Sequence, residues 1–314
     1  MINWGVIGFG RMGKQYVDCL KKKSNLFKLK GVSSKSSFKN DDLYFYKSYE
    51  DLIKLSEIDA VYISTLNNTH KDLVVLANQY NKKILCEKPL GMNFLEVKEL
   101  HSLLEKKKDN FLEAIAYRAH PIISSLFEIL EDQEIGDIKK IQSNFGFKVR
   151  KIKKTSRLFN KELGGGSILD LGCYPISFFM LFTKSKDKIS INDKKLSYAK
   201  SGVDDEATAN LEYNNKFKGK IKVSIKSNLE NSCVIHGTKG SIKVNSPWLP
   251  NKESIIEISN KNHFYIKQIK SNLSVYANQI ENVSKSFMDE NLKNNLFGIE
   301  KSSISMRLIN DWMN

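Results

Sequence analysis

Residues 2–20 read INWGVIGFGRMGKQYVDCL. A short apolar run ends in Gly8-Phe9-Gly10-Arg11-Met12-Gly13, and a helical period follows, with Met12, Tyr16, Val17 and Leu20 recurring on one face. The spacing G-x-G-x-x-G is a weak signal alone, because glycines recur in many turns. Between a strand and a helix it has a mechanism. The first glycine permits the tight turn, the second lets the backbone approach a pyrophosphate, and the third lets helix and strand pack. Unpaired N–H groups at the positive helix end then favour the phosphates. The stretch predicts a dinucleotide-binding loop formed by Gly8, Gly10, Arg11, Met12 and Gly13.

Working outward, the same alternation continues. LKGVSS closes a second strand near Ser33, and DAVYIST (59–65) is a third, followed by the helical HKDLVVLANQY. KKILCE is a fourth strand, NFLEVKELHSLLEKKK an amphipathic helix, and NFLEAIA a fifth strand. Short apolar strands separated by helices imply parallel strands covered on both faces. After His120-Pro121 the character changes. ATANLEYN, KGKIKVSIKS, SCVIHG, SIKVN, SIIEIS and HFYIKQI alternate with period two between turn signals, and two helical segments, roughly 273–289 and 298–313, close the chain. The expected fold is α/β. It comprises an N-terminal doubly wound Rossmann domain (1–118) and a C-terminal α+β domain (119–314) on a mostly antiparallel open sheet. The second domain is expected to bind substrate and mediate oligomerisation, with the last helix packing back on the first. Val223, Ile225, Ile235 and Ile242 are the residues expected to join copies into a homodimer or homotetramer through that sheet.

Bulk properties narrow the function. A chain of 314 residues suits two domains, and 41% hydrophobic residues is an ordinary globular content. The net charge is +15, but only five of the 50 basic residues are arginines, the usual bidentate readers of bases and phosphates. Even lysine enrichment of this kind predicts no nucleic-acid partner. The densest basic run, KVRKIKKTSR (148–157), reads as a solvated edge or as a seat for a phosphate-bearing ligand. The longest strongly apolar run, ISFFMLF (176–182), is far short of the ~20 residues that cross a bilayer. The N-terminus lacks a basic lead and a cleavage site. A cytoplasmic protein with no membrane partner is expected. Cys19, Cys86, Cys173 and Cys233 are widely spread, which predicts buried thiols rather than disulfides, and no histidine/carboxylate spacing predicts a metal.

The end of the second strand decides between cofactors. A carboxylate there would bind the ribose 2′-hydroxyl and repel a 2′-phosphate. The chain offers Ser33, Ser34 and Lys35, with no acid before Asp41. That set favours NADP(H), with NAD(H) as the alternative. The third and fourth strands end in STLNNTH (64–70) and LCEKPLG (85–91). Strand C-termini line the ligand crevice of a doubly wound sheet, so Lys88, supported by Glu87, is expected to face the nicotinamide end of the cofactor.

Five stretches taken together carry a resemblance: GFGRMG, STLNNTH, CEKP, EAIAYRAHP (113–121) and ELGGGSILDLGCYPISF (162–178). In order and spacing the chain resembles the glucose–fructose oxidoreductase / inositol dehydrogenase / rhizopine-catabolism (Gfo/Idh/MocA) family. The subgroup most similar is that of the NADP-dependent D-xylose dehydrogenases and trans-1,2-dihydrobenzene-1,2-diol dehydrogenases. The resemblance implies hydride transfer between a nicotinamide and a carbon of a sugar, sugar derivative or cyclic diol. It implies Lys88 as the residue that assists proton transfer and binds the reacting oxygen, and Asp170 as the aspartate of the D-x-G-x-H pattern. The histidine of that pattern is Tyr174 here, a form that fits the subgroup and disfavours a simple inositol dehydrogenase. Thr65, Asn67 and His70 are expected beside the nicotinamide ribose. Arg118 and His120 are expected either at the substrate or at a hinge. Leu66 stands where proline is usual, so a small change of turn geometry is expected there.

The residue types suit the chemistry. Alcohol oxidation needs a base for the hydroxyl proton while hydride leaves carbon, and a phenol with a pKa of ~10 is a poor base at neutral pH. A nearby ammonium lowers that pKa, so Lys88 and Tyr174 are expected to act as a pair. Two readings compete: a nucleotide-sugar dehydrogenase of surface-polysaccharide synthesis, with a diphosphate on the basic run, and a cofactor-binding protein without catalysis.

Overall fold

The computed structural model describes residues 1–35, 43–150, 156–183, 188–293 and 295–314. These group into two compact units, one of Met1–Ala119 with Tyr276–Ser303, the other of His120–Val275 with Ile304–Asn314.

In the first unit, strands β1 (Ile2–Ile7), β2 (Phe27–Ser33), β3 (Phe45–Tyr46), β4 (Ala60–Ile63), β5 (Lys83–Cys86) and β6 (Phe111–Glu113) form one parallel sheet in the order β3-β2-β1-β4-β5-β6. Helices α1 (Arg11–Leu20), α2 (Tyr49–Ile53), α3 (His70–Gln79) and α4 (Phe94–Leu104) connect them. Every residue of β4 is buried and so are three of the four in β5. Such runs show no polar alternation because helices cover both faces of the sheet. Caps mark where helices start: Ser48 accepts from Asp51 N at 3.3 Å and Asn93 from Glu96 N at 3.0 Å. The short β3 and α2 escape the apolar period because each is only a few residues long.

Helix α8 (Val275–Met288) belongs to the first unit from Tyr276 onward, together with the first turn of α9 (Ile299–Met313). Side chains at long sequence distance hold it there. Trp4 Nε1 donates to Ser284 Oγ at 3.1 Å, the Tyr16 hydroxyl donates to Gln279, and the Lys83 ammonium donates to the Phe287 carbonyl. The division expected from sequence puts all of 119–314 in the second domain, whereas the segment Tyr276–Ser303 groups with the first.

In the second unit, β7 (Ile138–Gly146), β8 (Ile189–Tyr198), β9 (Asp204–Tyr213), β10 (Phe217–Ser224), β11 (Ser232–Gly237), β12 (Gly240–Asn245), β13 (Glu253–Asn260) and β14 (Phe264–Lys270) form a sheet in the order β14-β13-β12-β11-β7-β10-β9-β8. Among the described residues only the β10/β7 pair of this sheet is parallel. Helices α5 (Pro121–Glu131), α6 (Ser167–Leu171) and α7 (Cys173–Phe179) lie against one face. This arrangement corrects the expected subunit contact. Val223, Ile225, Ile235 and Ile242 are each fully buried within the single chain. Period-two alternation sends them to the helix-covered face, while Lys218, Lys220 and Lys222 of β10 project from the other. On that open face Lys222 pairs with Glu206 at 3.2 Å and Asn245 donates to Glu257 at 2.6 Å.

The four cysteines are buried and unbridged. Residues Lys161–Phe182 contain an apolar window longer than ISFFMLF, with mean hydropathy 1.3, but the run breaks into short helices and 78% of the window is buried. It is the core of the second unit.

The end of α9 closes that core. Trp312 is fully buried, and its indole N–H donates to the Thr208 carbonyl at 3.2 Å. Its ring lies against Gly172, where a Cβ would come within 3.2 Å of it. Trp312→Ala is therefore expected to lower stability by about 3–5 kcal/mol, read as a fall in the urea midpoint with an unchanged slope.

Candidate active site

The first unit gathers its functional residues at the C-terminal ends of the parallel strands. Gly8 follows β1 with φ +93°, a left-handed conformation that side chains resist, and its N–H donates to the Ser33 carbonyl at 2.8 Å. At Gly13 any Cβ would collide with the carbonyl oxygen of Gly8, so only glycine lets α1 start this close to the strand end. Gly10 behaves differently: a Cβ there would meet nothing within 4 Å. The first turn of α1 carries no acidic side chain, and Arg11 opens it exposed to solvent. A loop open at Gly10, a bare helix N-terminus and an adjacent guanidinium fit a pyrophosphate. Met12 lies half-buried beside them.

At the end of β2 the three expected residues separate. The Ser33 side chain is fully buried with no hydrogen-bond partner for its hydroxyl, so its contribution to the loop is its carbonyl. Ser34 is half-buried, and Lys35 is exposed with its ammonium 5.7 Å from the centre of the Tyr49 ring. Asp41 lies outside the described residues.

The loops after β4 and β5 are tied together by His70. The imidazole is fully buried, with Nδ1 2.8 Å from the Pro89 carbonyl and Nε2 3.3 Å from the Thr65 carbonyl. His70 thus braces the Lys88 loop. Asn67 is buried in the same turn, and the Thr65 hydroxyl accepts from Thr69 at 2.7 Å. Leu66 holds φ −75° and ψ 148°, a conformation proline itself adopts.

Glu87 and Lys88 are both half-buried just past β5. The Tyr62 hydroxyl donates to Glu87 Oε1 at 2.5 Å, and the Lys88 N–H donates to Oε2 at 3.3 Å. Burial, then the Glu87 carboxylate, keep the Tyr62 phenol protonated far above its ordinary range. The Tyr62 ring stacks on Tyr16 with centroids 3.7 Å apart, and Tyr16 meets Tyr276 at 5.7 Å. The Tyr276 phenol is raised by burial first and then by Glu87, with Arg11 and Lys88 opposing. Sequence reasoning missed Tyr62 and Tyr276, since an isolated tyrosine carries no local signal of a partner so distant along the chain. Arg118 is buried in this unit, donating from Nε to the Asn295 carbonyl at 2.5 Å and standing over the Phe297 ring. That anchors the loop before α9.

In the second unit, Asp170 and Tyr174 sit on α6 and α7. Helix α6 has only Gly166 at its N-cap, and the missing acceptor comes from β9: Asp204 Oδ2 accepts from Ser167 Oγ at 2.6 Å and Ile168 N at 2.7 Å. Asp170 is 7% exposed and accepts from Arg157 Nη2 at 2.6 Å. Arg157 belongs to the basic run, of which residues 151–155 lie outside the described residues. The pairing turns one member of that run inward. Tyr174 is half-buried, edge-on to Phe145 at 5.0 Å and 6.0 Å from Trp248. His120 caps α5: its Nδ1 accepts from Ile122 N at 3.2 Å, which leaves the proton of the neutral ring on Nε2. Among the described residues no group of three metal-ligating side chains converges.

Residues 2–114 match the oxidoreductase family, NAD-binding Rossmann fold, and residues 123–243 match the GFO/IDH/MocA C-terminal domain. The chain is 31% identical over 260 residues to the trans-1,2-dihydrobenzene-1,2-diol dehydrogenase of Sus scrofa, covering 79% of this chain and 76% of that protein. With its counterpart from Xenopus tropicalis it shares 35% identity over 206 residues, which span 65% of this chain and only 61% of the relative's length. An aldose-aldose oxidoreductase from Caulobacter crescentus has the same fold, with a TM-score of 0.84 at 15% identity over 99% of this chain and 96% of its own. So does a 3-ketoreductase from Actinomadura kijaniata in complex with NADP and TDP-benzene, with a TM-score of 0.81 at 18% identity over 97% and 95%. The first unit is an NAD(P)-binding Rossmann domain.

Burial lowers the pKa of His120 from 6.5 to about 4, with the Asn251 backbone pulling weakly the other way. The unfolded chain therefore binds this proton first, and the stability present above pH 6.5 is lost as pH falls toward 4. His120→Asn keeps an N-cap acceptor without the titration. Its urea midpoint is expected to fall less than that of the unaltered protein between pH 7 and pH 5.

Proposed function

The chain belongs to the GFO/IDH/MocA oxidoreductase family, and on that premise we propose that it is an NADP(H)-dependent oxidoreductase acting on a CH–OH carbon of a sugar, sugar derivative or cyclic diol, working in the cytoplasm. The observation that carries this reading is the placement of Glu87 and Lys88 just past β5, in the same unit as the glycine loop, with buried groups bracing them from behind. The nicotinamide, when bound, supplies the carbon that gives or takes hydride. What the chain supplies is binding, orientation and proton handling.

Gly8, Gly10 and Gly13 open a path to the pyrophosphate, and Arg11 adds charge. Ser34 and Lys35 are the 2′-phosphate recognition residues of this proposal, in place of the enclosed Ser33. A phosphate dianion is attracted by the Lys35 ammonium, and in the sequence no acidic residue follows β2 before Asp41. At the reacting oxygen, the Lys88 ammonium holds the substrate and stabilises the alkoxide character that develops as hydride leaves carbon. Glu87, locked by Tyr62, limits how that lysine can turn. Tyr174 is proposed to act with Lys88 as a pair in proton exchange, on the strength of the family motif and of its half-buried aromatic setting. Asp170, held by Arg157, orients the helical turn that carries Tyr174. Association of copies through the second sheet would use its lysine- and glutamate-bearing face, because the apolar side chains face inward.

Lys88→Ala is expected to reduce turnover by ~10²–10⁴-fold while NADPH binding, followed by its fluorescence, survives. Turnover unchanged in that variant would remove Lys88 from the chemistry. Lys35→Glu should invert the cofactor preference toward NAD, and an unaltered ratio of the two kcat/KM values would place 2′-phosphate recognition elsewhere.

A further inference from the structure

Glu113 is a buried acid that the proposed chemistry does not use. It ends β6, where it pairs in register with Cys86 at the end of β5, two residues before Lys88. Its side chain and backbone face opposite duties. The carboxylate Oε1 accepts from Leu90 N at 3.1 Å, on the far side of the Lys88 loop. The backbone N–H donates to the Phe297 carbonyl at 2.8 Å, forming an isolated antiparallel bridge just before α9. The residue is only 5% exposed. A carboxylate enclosed to that degree stays charged only where donors and cations compensate it.

The groups around it are few and identifiable. From the end of β5 come the Cys86 thiol, the Glu87 carboxylate and the Lys88 ammonium, and from α9 the Ser302 hydroxyl. Arg118 and Lys301 of the same unit donate to the carbonyls of Asn295 and Leu296. Burial pushes the Glu113 carboxyl up to about 7, Ser302 and Leu90 N pull it down, Glu87 pushes it up again, and Lys88 lowers it. Two carboxylates of different character thus bear on Lys88: Glu87 accepts its backbone N–H, and Glu113 feels its charge. Glu87 is tied to Tyr62, and Glu113 changes charge near neutrality.

We infer that Glu113 is a positioning residue for Lys88: from beneath the loop it anchors Leu90 and, by gaining or losing its charge, sets how readily the Lys88 ammonium gives up its proton. When Glu113 is ionised the ammonium is stabilised. When it is neutral the free amine becomes more accessible at the same pH. The inference rests on Lys88 being one of the pair that handles the proton in the proposed reaction, but its test needs neither cofactor nor substrate.

The test is competitive labelling of the full chain with trace acetic anhydride from pH 6 to 10, reading Lys88 by peptide mass spectrometry. In the unaltered protein the labelling rate should rise less steeply than tenfold per pH unit across the ionisation of Glu113, giving a shoulder near pH 7. Glu113→Gln keeps an oxygen for Leu90 N but removes the charge. It should abolish the shoulder and raise Lys88 labelling at pH 8 about tenfold, the effect of removing one neighbouring opposite charge worth about one pKa unit. If that variant does not fold, Ser302→Ala serves instead: losing a donor to Glu113 should move the shoulder to higher pH. A profile without a shoulder, or one that neither variant moves, overturns the inference. A protein that shows the predicted labelling yet transfers no hydride overturns the proposed function and leaves the coupling of Glu113 to Lys88 standing.

Discussion

The close packing of Gly13 on the Gly8 carbonyl governs the first unit. Because no Cβ separates them, α1 begins at the end of β1 with its free N–H groups pointing over the sheet's C-terminal edge. Gly8 can turn there only because it accepts φ +93°. The Gly8 N–H reaches back to the Ser33 carbonyl, so the same turn fastens β1 to β2 and holds Lys35 just beyond. The glycine loop and the end of β2 are thereby fixed together by one backbone contact.

The Lys88 loop is the second constructed feature, and its rigidity comes from buried polar groups. Tyr62 grips Glu87, His70 bridges the carbonyls of Thr65 and Pro89, and Glu113 takes the N–H of Leu90. Each is enclosed, so each bond acts in a medium of low dielectric where an unmade partner is costly. Helix α8 adds a further layer through Gln279 on Tyr16, beneath the stack that carries Tyr62. Buried, mutually bonded groups of this kind hold a loop in one geometry.

In the second unit the supply of hydrogen-bond partners again explains geometry. Helix α6 cannot cap itself with glycine, and Asp204 of β9 caps it from across the core. Arg157 neutralises the buried Asp170. Tyr174 then emerges half-buried against Phe145 and Trp248, whose indole is fixed on the Asn144 carbonyl.

What the sequence determined alone was local: the glycine loop, the alternation of strand and helix in the first hundred residues, the antiparallel run after 188, and the chemical type of Lys88 and Tyr174 at the ends of recognisable motifs. Those signals live within a few residues, because turn sterics and hydrophobic period act over that range. The tertiary structure decided which side of each pattern is enclosed. Alternation shows that Val223 and Ile235 share a face, but only the position of the helices shows that this face is the covered one. The same holds for Ser33, Arg118 and His120, whose side chains are consumed by the interior. Tyr62, Glu113, Asp204 and Tyr276 gained their roles from partners 23 or more positions away, as with Leu90 and Glu113. Burial and pairing of that kind depend on how elements stack, and no window of neighbouring residues contains them.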